Sequence, residues 1–399
     1  MKLNRIVLGL TLLLPLTVQA EEVFFEASGK ISGELRAFAD EGQFPGQDYR
    51  TAVSAAIEPE FFWEWNDGVD SLTFTTYYRY DQRDDERSHG DIRELSWIHV
   101  GDDWELRTGI RKVFWGVTEF SHLVDVINQT DGIEDSDGED KLGQPMVNLS
   151  LVRDWGIVDL FVLPGFRERT FAGTDGRLRA GLPVLTDNAE YESGAAENHV
   201  DTAIRWSQSY DLFDLGLYWF RGTNRDPQLQ RRMVNAQPVL VPYYEQIDQI
   251  GFDGQATIDS WLWKLEILHR NGQQDRYSAM QAGVEYTFYG IQGSATDIGV
   301  LVEYGWDERG KAATAAFQND LFIGSRVTMN DEASTEFLAG FGYDLDYHSQ
   351  SLFVEASRRF GDNWKISLDG RLFNAGKPQD QLANIEQDDL VQLTAEYYF

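Results

Sequence analysis

The chain has 399 residues, of which 34 are basic and 66 acidic, and its formal net charge is −32. This acidity argues against a nucleic acid partner, because a polyanion would be repelled. The sequence has no cysteine, which excludes disulfides. Beyond residue 20 no run approaches the ~20 apolar residues that a membrane helix needs, so a helical membrane protein is excluded.

The first twenty residues have the pattern of a secretory signal sequence. Lys2 and Arg5 form the charged start, Ile6 to Leu16 form the apolar segment, and small residues precede a cleavage site after Ala20. The sequence therefore predicts that residues 1–20 are removed and that residues 21–399 form the exported protein. Since no cysteine follows this site, a lipid anchor is not expected.

The exported part consists largely of segments in which apolar and polar residues alternate, the pattern of half-buried strands. In residues 51–65, Val53, Ile57 and Trp63 share one face, and Glu58 and Glu64 share the other. A strand of 10–13 residues at ~3.3 Å each, tilted by roughly 40°, spans a bilayer. Eighteen strands are predicted, at 26–38, 51–65, 70–80, 92–100, 104–113, 146–153, 157–164, 200–208, 212–221, 244–258, 260–270, 276–289, 297–306, 319–330, 333–345, 350–360, 362–373 and 389–399.

The connections between these strands alternate in length. Every second connection is short, and the others include all the long ones, near 114–144, 165–198, 222–242 and 374–388. Short turns on one side and long loops on the other are typical of transmembrane barrels. The sequence therefore predicts an all-β fold, a transmembrane antiparallel up-and-down β-barrel of about 18 strands over residues 21–399, with 16 strands as the alternative. The long segments are predicted to be external loops.

The last strand places Val391, Leu393, Ala395, Tyr397 and Phe399 on one face. We predict that it pairs with strand 26–38 and closes the barrel. It also resembles the C-terminal signal that bacterial barrels present to their assembly machinery, with alternating apolar residues and a terminal Phe. That resemblance implies the barrel-assembly machinery as a partner and Val391, Leu393, Tyr397 and Phe399 as the assembly signal.

Two further segments resemble a group of porin-like outer-membrane proteins of proteobacteria. The first runs from Arg111 to Asp131, and the second combines Leu163 to Arg169 with Asp175 to Leu178. The resemblance implies a location in the bacterial outer membrane, with its lipids and lipopolysaccharide as surroundings. In general porins, which are similar, the third external loop folds inward. Loop 114–144 would be that loop here, with Glu119, His122 and Asp125 as constriction residues.

A barrel of about 18 strands is too wide for side chains to fill, so a water-filled lumen is expected. Arg107 and Arg111 on the wall, facing Glu119 and Asp125 on the loop, would set a transverse field for polar solutes. The alternative is that these charges are solvated or paired with one another. The predicted pore-lining residues are Arg79, Glu105, Arg107, Arg111, Arg205, Lys264, Glu266, Arg270, Glu303, Arg326 and Arg371.

Signals for metals and catalysis are sparse. Asp135, Asp137 and Asp140 loosely resemble a calcium loop, but their spacing departs from the EF-hand pattern. A solvated acidic loop is the alternative, and no other cofactor is expected. The six histidines are scattered, and no Gly-x-Ser-x-Gly elbow or His-x-x-x-His pair is present, so an enzyme is not expected.

The sequence thus predicts an outer-membrane channel through which small polar solutes diffuse, narrowed by loop 114–144 if that loop folds inward. The first alternative is a dedicated channel for one substrate, such as a sugar, an acidic oligosaccharide or a hydrophobic compound. The second alternative is an outer-membrane enzyme or adhesion barrel. Monomer and homo-oligomer are both open at this stage.

Overall fold

The computed structural model describes residues 23–135, 137–273, 275–315 and 317–399, so the predicted signal sequence lies outside the described residues. Eighteen strands form one closed antiparallel sheet, which confirms the predicted barrel and its larger strand number. The barrel strands are β1 (Phe24–Phe38), β2 (Thr51–Trp65), β3 (Asp70–Asp81), β4 (Gly90–Val100), β5 (Trp104–Arg111), β6 (Gln144–Arg153), β7 (Gly156–Pro164), β9 (Val200–Tyr210), β10 (Phe213–Thr223), β13 (Gln246–Ile258), β14 (Trp261–Asn271), β15 (Tyr277–Phe288), β16 (Asp297–Asp307), β17 (Asn319–Thr328), β18 (Glu336–Asp344), β19 (Gln350–Phe360), β20 (Trp364–Asn374) and β21 (Leu390–Tyr398).

The barrel closes where β21 pairs with β1, in a register that runs from Lys30 opposite Tyr398 to Phe38 opposite Leu390. Beyond the ladder, the Phe399 N–H donates to the Gly29 carbonyl at 3.0 Å. Along β21 the exposed and buried side chains alternate, because successive residues of a strand point to opposite faces. The predicted apolar face is the outer one, with Val391, Leu393, Tyr397 and Phe399 all exposed.

A small three-stranded sheet lies outside the barrel ladder. It contains β8 (Glu190–Tyr191), β11 (Gln228–Val234) and β12 (Gln237–Tyr244). Segment 222–242, predicted as a loop, is therefore mostly a hairpin, whose tight turn at Asn235 and Ala236 has both residues at positive φ. The interpretation as plain loop was wrong because the turn signal is Asn-Ala rather than Asn-Gly. The 3₁₀ turns are Thr186–Asn188, Ala196–Asn198, Ile291–Gly293, Gly310–Ala312 and Gln381–Asn384.

Strand β4 departs from strict alternation near its start. The pairing of β3 with β4 shifts between Thr75 and Thr76, so β4 contains one extra residue at Arg93. Ile92 and Leu95 therefore both face outward although their positions differ in parity, and Arg93 is buried. A single period-2 pattern could not describe this strand.

Short turns occupy one end of the barrel, as predicted. They centre on residues such as Asn66, Asp211, Asp259 and Asn330, each of which has a positive φ. Asn and Asp tolerate this left-handed conformation better than most residues because their short polar side chains bond locally. Among the described residues, no helix is long and apolar enough to cross a bilayer.

Candidate functional site

The segment between β5 and β6, residues 112–143, lies inside the barrel and is called the inner loop below. The first half of this loop contains an apolar cluster, in which Trp115, Val124 and Ile127 are buried against one another. They pack on inward-facing aromatic residues of the wall, among them Phe161 of β7 and Phe220 of β10. Packing of this kind removes apolar surface from water and fixes where the loop enters the lumen.

Two wall carboxylates hold the backbone of the inner loop. Glu266 Oε1 accepts the Val117 N–H at 2.6 Å and the Thr118 N–H at 3.0 Å, and its Oε2 accepts the Val124 N–H at 3.2 Å. Glu303 accepts the Glu119 N–H at 2.9 Å and the Phe120 N–H at 3.1 Å. Bonds from amides to a carboxylate are stronger than neutral ones, so these two side chains anchor the loop.

The tip of the inner loop contacts the far wall through charge and aromatic packing. Glu119 Oε2 lies 2.6 Å from Arg326 Nη2 and 3.7 Å from Lys264 Nζ. The Phe120 ring stacks on Phe322 with centroids 4.6 Å apart and meets Phe353 edge-on at 5.5 Å. The loop thus reaches from β5 to strands β14 and β16 to β19.

The second half of the inner loop is bound by arginines of the wall. Glu134 Oε2 lies 2.8 Å from Arg79 Nη2 and accepts the Tyr77 hydroxyl at 2.7 Å. Asp131 Oδ2 accepts from Arg93 Nη1 at 2.6 Å. Arg87 donates to the Ile133 carbonyl at 2.8 Å. These residues are buried, so each ion pair is poorly screened by solvent.

The acidic stretch that follows is placed against β20. Arg371 Nη2 lies 3.1 Å from Asp137 and 3.9 Å from Asp135. Burial, together with the nearby Glu134 and Asp135, raises the pKa of Asp140 to about 6. Calcium binding by Asp135, Asp137 and Asp140 stays a prediction, with Arg371 already supplying positive charge to two of them.

Two of the predicted constriction residues, His122 and Asp125, form ion pairs within the inner loop. Asp125 pairs with Lys141 of the same loop at 3.3 Å, and His122 Nε2 lies 2.6 Å from Glu139. Burial raises the pKa of Asp125. Burial opposes the charged form of His122, but its hydrogen bond with Glu139 and the negative charges of Glu139, Glu266 and Asp125 together outweigh burial and raise the His122 pKa.

Six of the predicted lining residues contact the inner loop, namely Arg79, Lys264, Glu266, Glu303, Arg326 and Arg371. Of the others, Glu105, Arg107, Arg205 and Arg270 bond along the wall, whereas Arg111 Nε and Nη1 are buried without a hydrogen-bond partner in the part of the chain that the structure describes. Arg107 pairs with Glu105, Arg205 lies 2.6 Å from Asp253, and Arg270 donates to Gln249 at 2.6 Å. Arg111 is half-buried beside Arg107, and among the described residues no ion pair joins either arginine to Glu119 or Asp125.

A second long loop, residues 165–199, crosses the end of the barrel opposite the short turns and is called the mouth loop. Its Arg177 is buried, forms an ion pair with Asp388, and donates to the Tyr49 carbonyl at 2.9 Å. The Arg177 guanidinium also lies 4.1 Å from the Phe38 ring centroid. The mouth loop is thereby joined to the β1–β2 loop and to the loop before β21.

Sequence reasoning missed Arg87, Arg93, Arg177, Asp131 and Glu134 as parts of this interior. Arg93 lies at the bulge, where alternation fails to assign a face. The other four lie in loops, where no periodic pattern assigns a direction. Arg177 and Asp131 did belong to the segments that carried the family resemblance, and this was the one signal in the sequence that pointed to them.

Comparison with known proteins gives structural matches alone. No family model matches the chain, and no curated protein matches it. Wzi of Escherichia coli, described as an outer-membrane carbohydrate-binding β-barrel involved in group 1 capsule assembly, is 8% identical with a TM-score of 0.55. That match covers 93% of this chain and 84% of Wzi.

Two porin-type structures match over nearly their whole length. The trimer form of OmpT, an outer membrane protein of Vibrio cholerae, is 10% identical with a TM-score of 0.48, covering 94% of this chain and 99% of OmpT. A mutant of the Rh. blastica porin is 10% identical with a TM-score of 0.46, and the match covers 94% of this chain and 100% of the porin. The closed 18-stranded barrel, together with the likeness to Wzi, defines the fold as that of outer-membrane β-barrels.

Proposed function

We propose that the protein is a channel in a bacterial outer membrane, through which small polar solutes diffuse past the inner loop. The observation that carries this proposal is the anchoring of the inner loop to Glu266 and Glu303 inside a barrel with a charged inner wall. A loop that is hydrogen-bonded to the inner wall narrows the lumen and leaves the strands of the barrel in place. The surroundings would be lipid and lipopolysaccharide, and the proposal assigns no reaction to the chain.

The charge distribution supports passage of polar solutes. Arg107 and Arg205 lie on β5 and β9, whereas Glu355 and Asp369 lie on β19 and β20, on the opposite side of the closed strand order. Arg107 and Arg205 are paired with Glu105 and Asp253, and Arg371 lies 3.1 Å from Glu355. Charged groups of both signs therefore line both sides of the lumen and can bind polar solutes. Because both signs are present, we expect modest charge selectivity.

Planar bilayer recordings test the proposal. The purified protein should give stable conductance steps, and Arg107→Glu should shift the reversal potential in a salt gradient toward cation preference. A control with the same charge change at the external surface, Arg232→Glu, should shift it less, because Arg232 lies on the small sheet outside the barrel ladder. A folded protein that gives no conductance steps would overturn the proposal.

A second candidate is a barrel that binds carbohydrate. It is favoured by the mouth loop, which Arg177 joins across the barrel end to Asp388 and to Tyr49, and by the fold shared with Wzi. Such a barrel would bind an oligosaccharide at the external end and show little conductance. A dedicated uptake channel would instead conduct and be blocked by one solute at low concentration. Recording conductance with and without candidate sugars separates the three cases.

A further inference from the structure

Three potential metal ligands converge where the inner loop meets the wall. His89, just before β4, places Nε2 at 3.6 Å from Asp131 Oδ2 and 3.5 Å from Glu134 Oε1. All three atoms lie within 4.8 Å of one another, and within residues 23–399 as described, this is the one such grouping of three His, Asp or Glu side chains. The cluster of His89, Asp131 and Glu134 is called the junction cluster below.

The other polar atom of each side chain is already bonded, which fixes its orientation. His89 Nδ1 lies 3.1 Å from the Arg87 carbonyl and therefore carries the proton, so neutral His89 presents the Nε2 lone pair to the carboxylates. Asp131 Oδ1 accepts the Thr170 hydroxyl at 2.6 Å, and Glu134 Oε2 accepts the Tyr77 hydroxyl. Metal-binding histidines and carboxylates are held by outer bonds of this kind.

Within the described part of the chain, two of the three inward-pointing atoms have no hydrogen-bond donor, whereas Asp131 Oδ2 accepts from Arg93. His89 Nε2 and Glu134 Oε1 are buried, and neither has a hydrogen-bond partner among the described residues. The Glu134 side chain is 6% exposed. These three acceptors repel one another; Arg93, at 2.6 Å from Asp131 Oδ2 and 3.9 Å from Glu134 Oε1, offsets part of this repulsion, and a cation between them would offset the rest. The two distances from His89 Nε2, 3.6 Å and 3.5 Å, are close to those of zinc ligands, since ligands ~2.0–2.1 Å from a tetrahedral ion stand about 3.3–3.4 Å apart.

The arginines around the junction cluster do not prevent a cation from binding there. Arg93 donates to Asp131 Oδ2, but a carboxylate oxygen has a second lone pair for a metal. Around the junction cluster the charges of four arginines are matched by four carboxylates, and Asp140 of the inner loop adds negative charge. The arginines are Arg36, Arg79, Arg87 and Arg93, and the matched acids are Glu34, Asp81, Asp131 and Glu134.

We propose that the junction cluster binds one Zn²⁺ ion through His89 Nε2, Asp131 Oδ2 and Glu134 Oε1, with water as the fourth ligand. The ion would join the inner loop to the segment before β4 and hold the loop in the lumen. This site is independent of which solute the barrel carries. A proton on His89 is the competing source of positive charge, and zinc titration distinguishes the two.

The test uses the full folded protein in detergent, treated with a chelator and then titrated with Zn²⁺ at about pH 7.5 and again at about pH 8.5, because burial opposes the charged form of His89 but Asp131 and Glu134 raise its pKa above the ordinary histidine value. We expect one ion per chain. His89→Ala and Glu134→Gln should each weaken binding by about 100-fold, whereas His269→Ala should not, because His269 is exposed and bonds Ser278. Folding of each variant is checked by circular dichroism. Equal zinc binding by the native protein and both variants, or none by the native protein, would overturn the proposal.

The outer bonds provide a second, milder test. Thr170→Val removes the hydroxyl that orients Asp131 but leaves all three ligands in place. Loss of such an outer bond weakens metal binding by about 10–100-fold. Substitution of Co²⁺ for zinc should give the visible spectrum of a tetrahedral ion in the native protein, and His89→Ala should abolish it. An octahedral spectrum that is unchanged in His89→Ala would contradict ligation by the junction cluster.

Discussion

The Val117 N–H of the inner loop donates to Glu266 Oε1 of β14 at 2.6 Å. The same carboxylate accepts from Thr118 and Val124, so one wall side chain bonds three loop residues. The loop backbone has no sheet partner in this region, and a buried N–H without an acceptor is costly. Glu266 therefore supplies the hydrogen-bond acceptors that a neighbouring strand would supply in a sheet. Its removal should loosen the inner loop and leave the barrel strands unaffected.

Glu266→Gln should release part of the inner loop. The amide nitrogen cannot accept a hydrogen bond, so one of the loop N–H groups now bound by the two oxygens loses its acceptor. We expect a loss of about 1–3 kcal/mol in the free energy that holds the loop, seen as faster cleavage in limited proteolysis. Glu60→Gln is the control, because Glu60 bonds Thr75 of the wall instead. Equal cleavage rates in both variants would contradict the anchoring role.

Glu119→Gln should change ion selectivity. Glu119 pairs with Arg326 and Lys264, so removing its charge leaves Arg326 without this partner, while Lys264 keeps Glu303 at 4.0 Å. Anions should then be favoured, because an uncompensated positive wall raises their local concentration. The reversal potential in a salt gradient measures this change. Glu332→Gln, in the exposed turn between β17 and β18, should leave it nearly unchanged. A shift toward cation preference would contradict the role of Glu119 in balancing the positive charge of the wall.

The strands could be predicted from the sequence because one physical cause sets them. A bilayer outside and water inside impose period 2 on every wall strand, so β14 was expected at 260–270 and lies at Trp261–Asn271. The two exceptions have local causes: an extra residue at Arg93 and a hairpin with an unusual turn at Asn235.

The contacts of the interior could be predicted only in part. Alternation identified Glu266, Glu303 and Arg326 as inward-facing, but it could not show that the inner loop bonds to them. Arg177 and Asp388 are 211 positions apart, and both lie in loops where no repeat links sequence to direction. Arg107 and Arg111 were expected to face Glu119 and Asp125 across the lumen, but alternation could not show that Glu119 pairs with Arg326 and Asp125 with Lys141.

Arg177→Ala should destabilise the mouth loop strongly. The substitution leaves Asp388 buried and without its counter-ion, which typically costs about 3–5 kcal/mol. We expect earlier unfolding in urea and cleavage within residues 165–199. The double variant Arg177→Met with Asp388→Leu should be less affected than Arg177→Ala, because it leaves no buried charge unpaired. If the double variant unfolded at a lower urea concentration than Arg177→Ala, loss of the ion pair would not explain the destabilisation of the mouth loop.

Deletion of Phe399 should reduce the amount of protein in the outer membrane. Phe399 ends the closing strand and exchanges backbone hydrogen bonds with Gly29, and its ring is exposed on the outer face. Phe288→Ala is the matched control, since Phe288 is an equally exposed aromatic residue at the end of β15 that bears the short turns. Quantitative blotting of membrane fractions measures both. Normal accumulation of the deletion variant would exclude an assembly role for Phe399.

The acidic part of the inner loop should make selectivity depend on pH. Burial and the neighbouring acids raise the pKa of Asp140 to about 6, and burial together with Asp135 raises that of Asp137. Carboxyls with raised pKa values bind more protons in the folded state than in the unfolded state. Their contribution to stability is therefore fully present at low pH, and it is lost as the pH rises through the folded-state value.

The same titration should alter permeation. Between about pH 5 and pH 8 the inner loop gains negative charge at Asp137 and Asp140, so cation preference should increase. Reversal potentials at both ends of this range measure the change. Asp140→Asn should reduce the pH response, whereas Asp259→Asn, in the turn between β13 and β14, should not. A response that is identical in Asp140→Asn and the native protein would show that other groups titrate, and it would remove the inner loop acids from the account of selectivity.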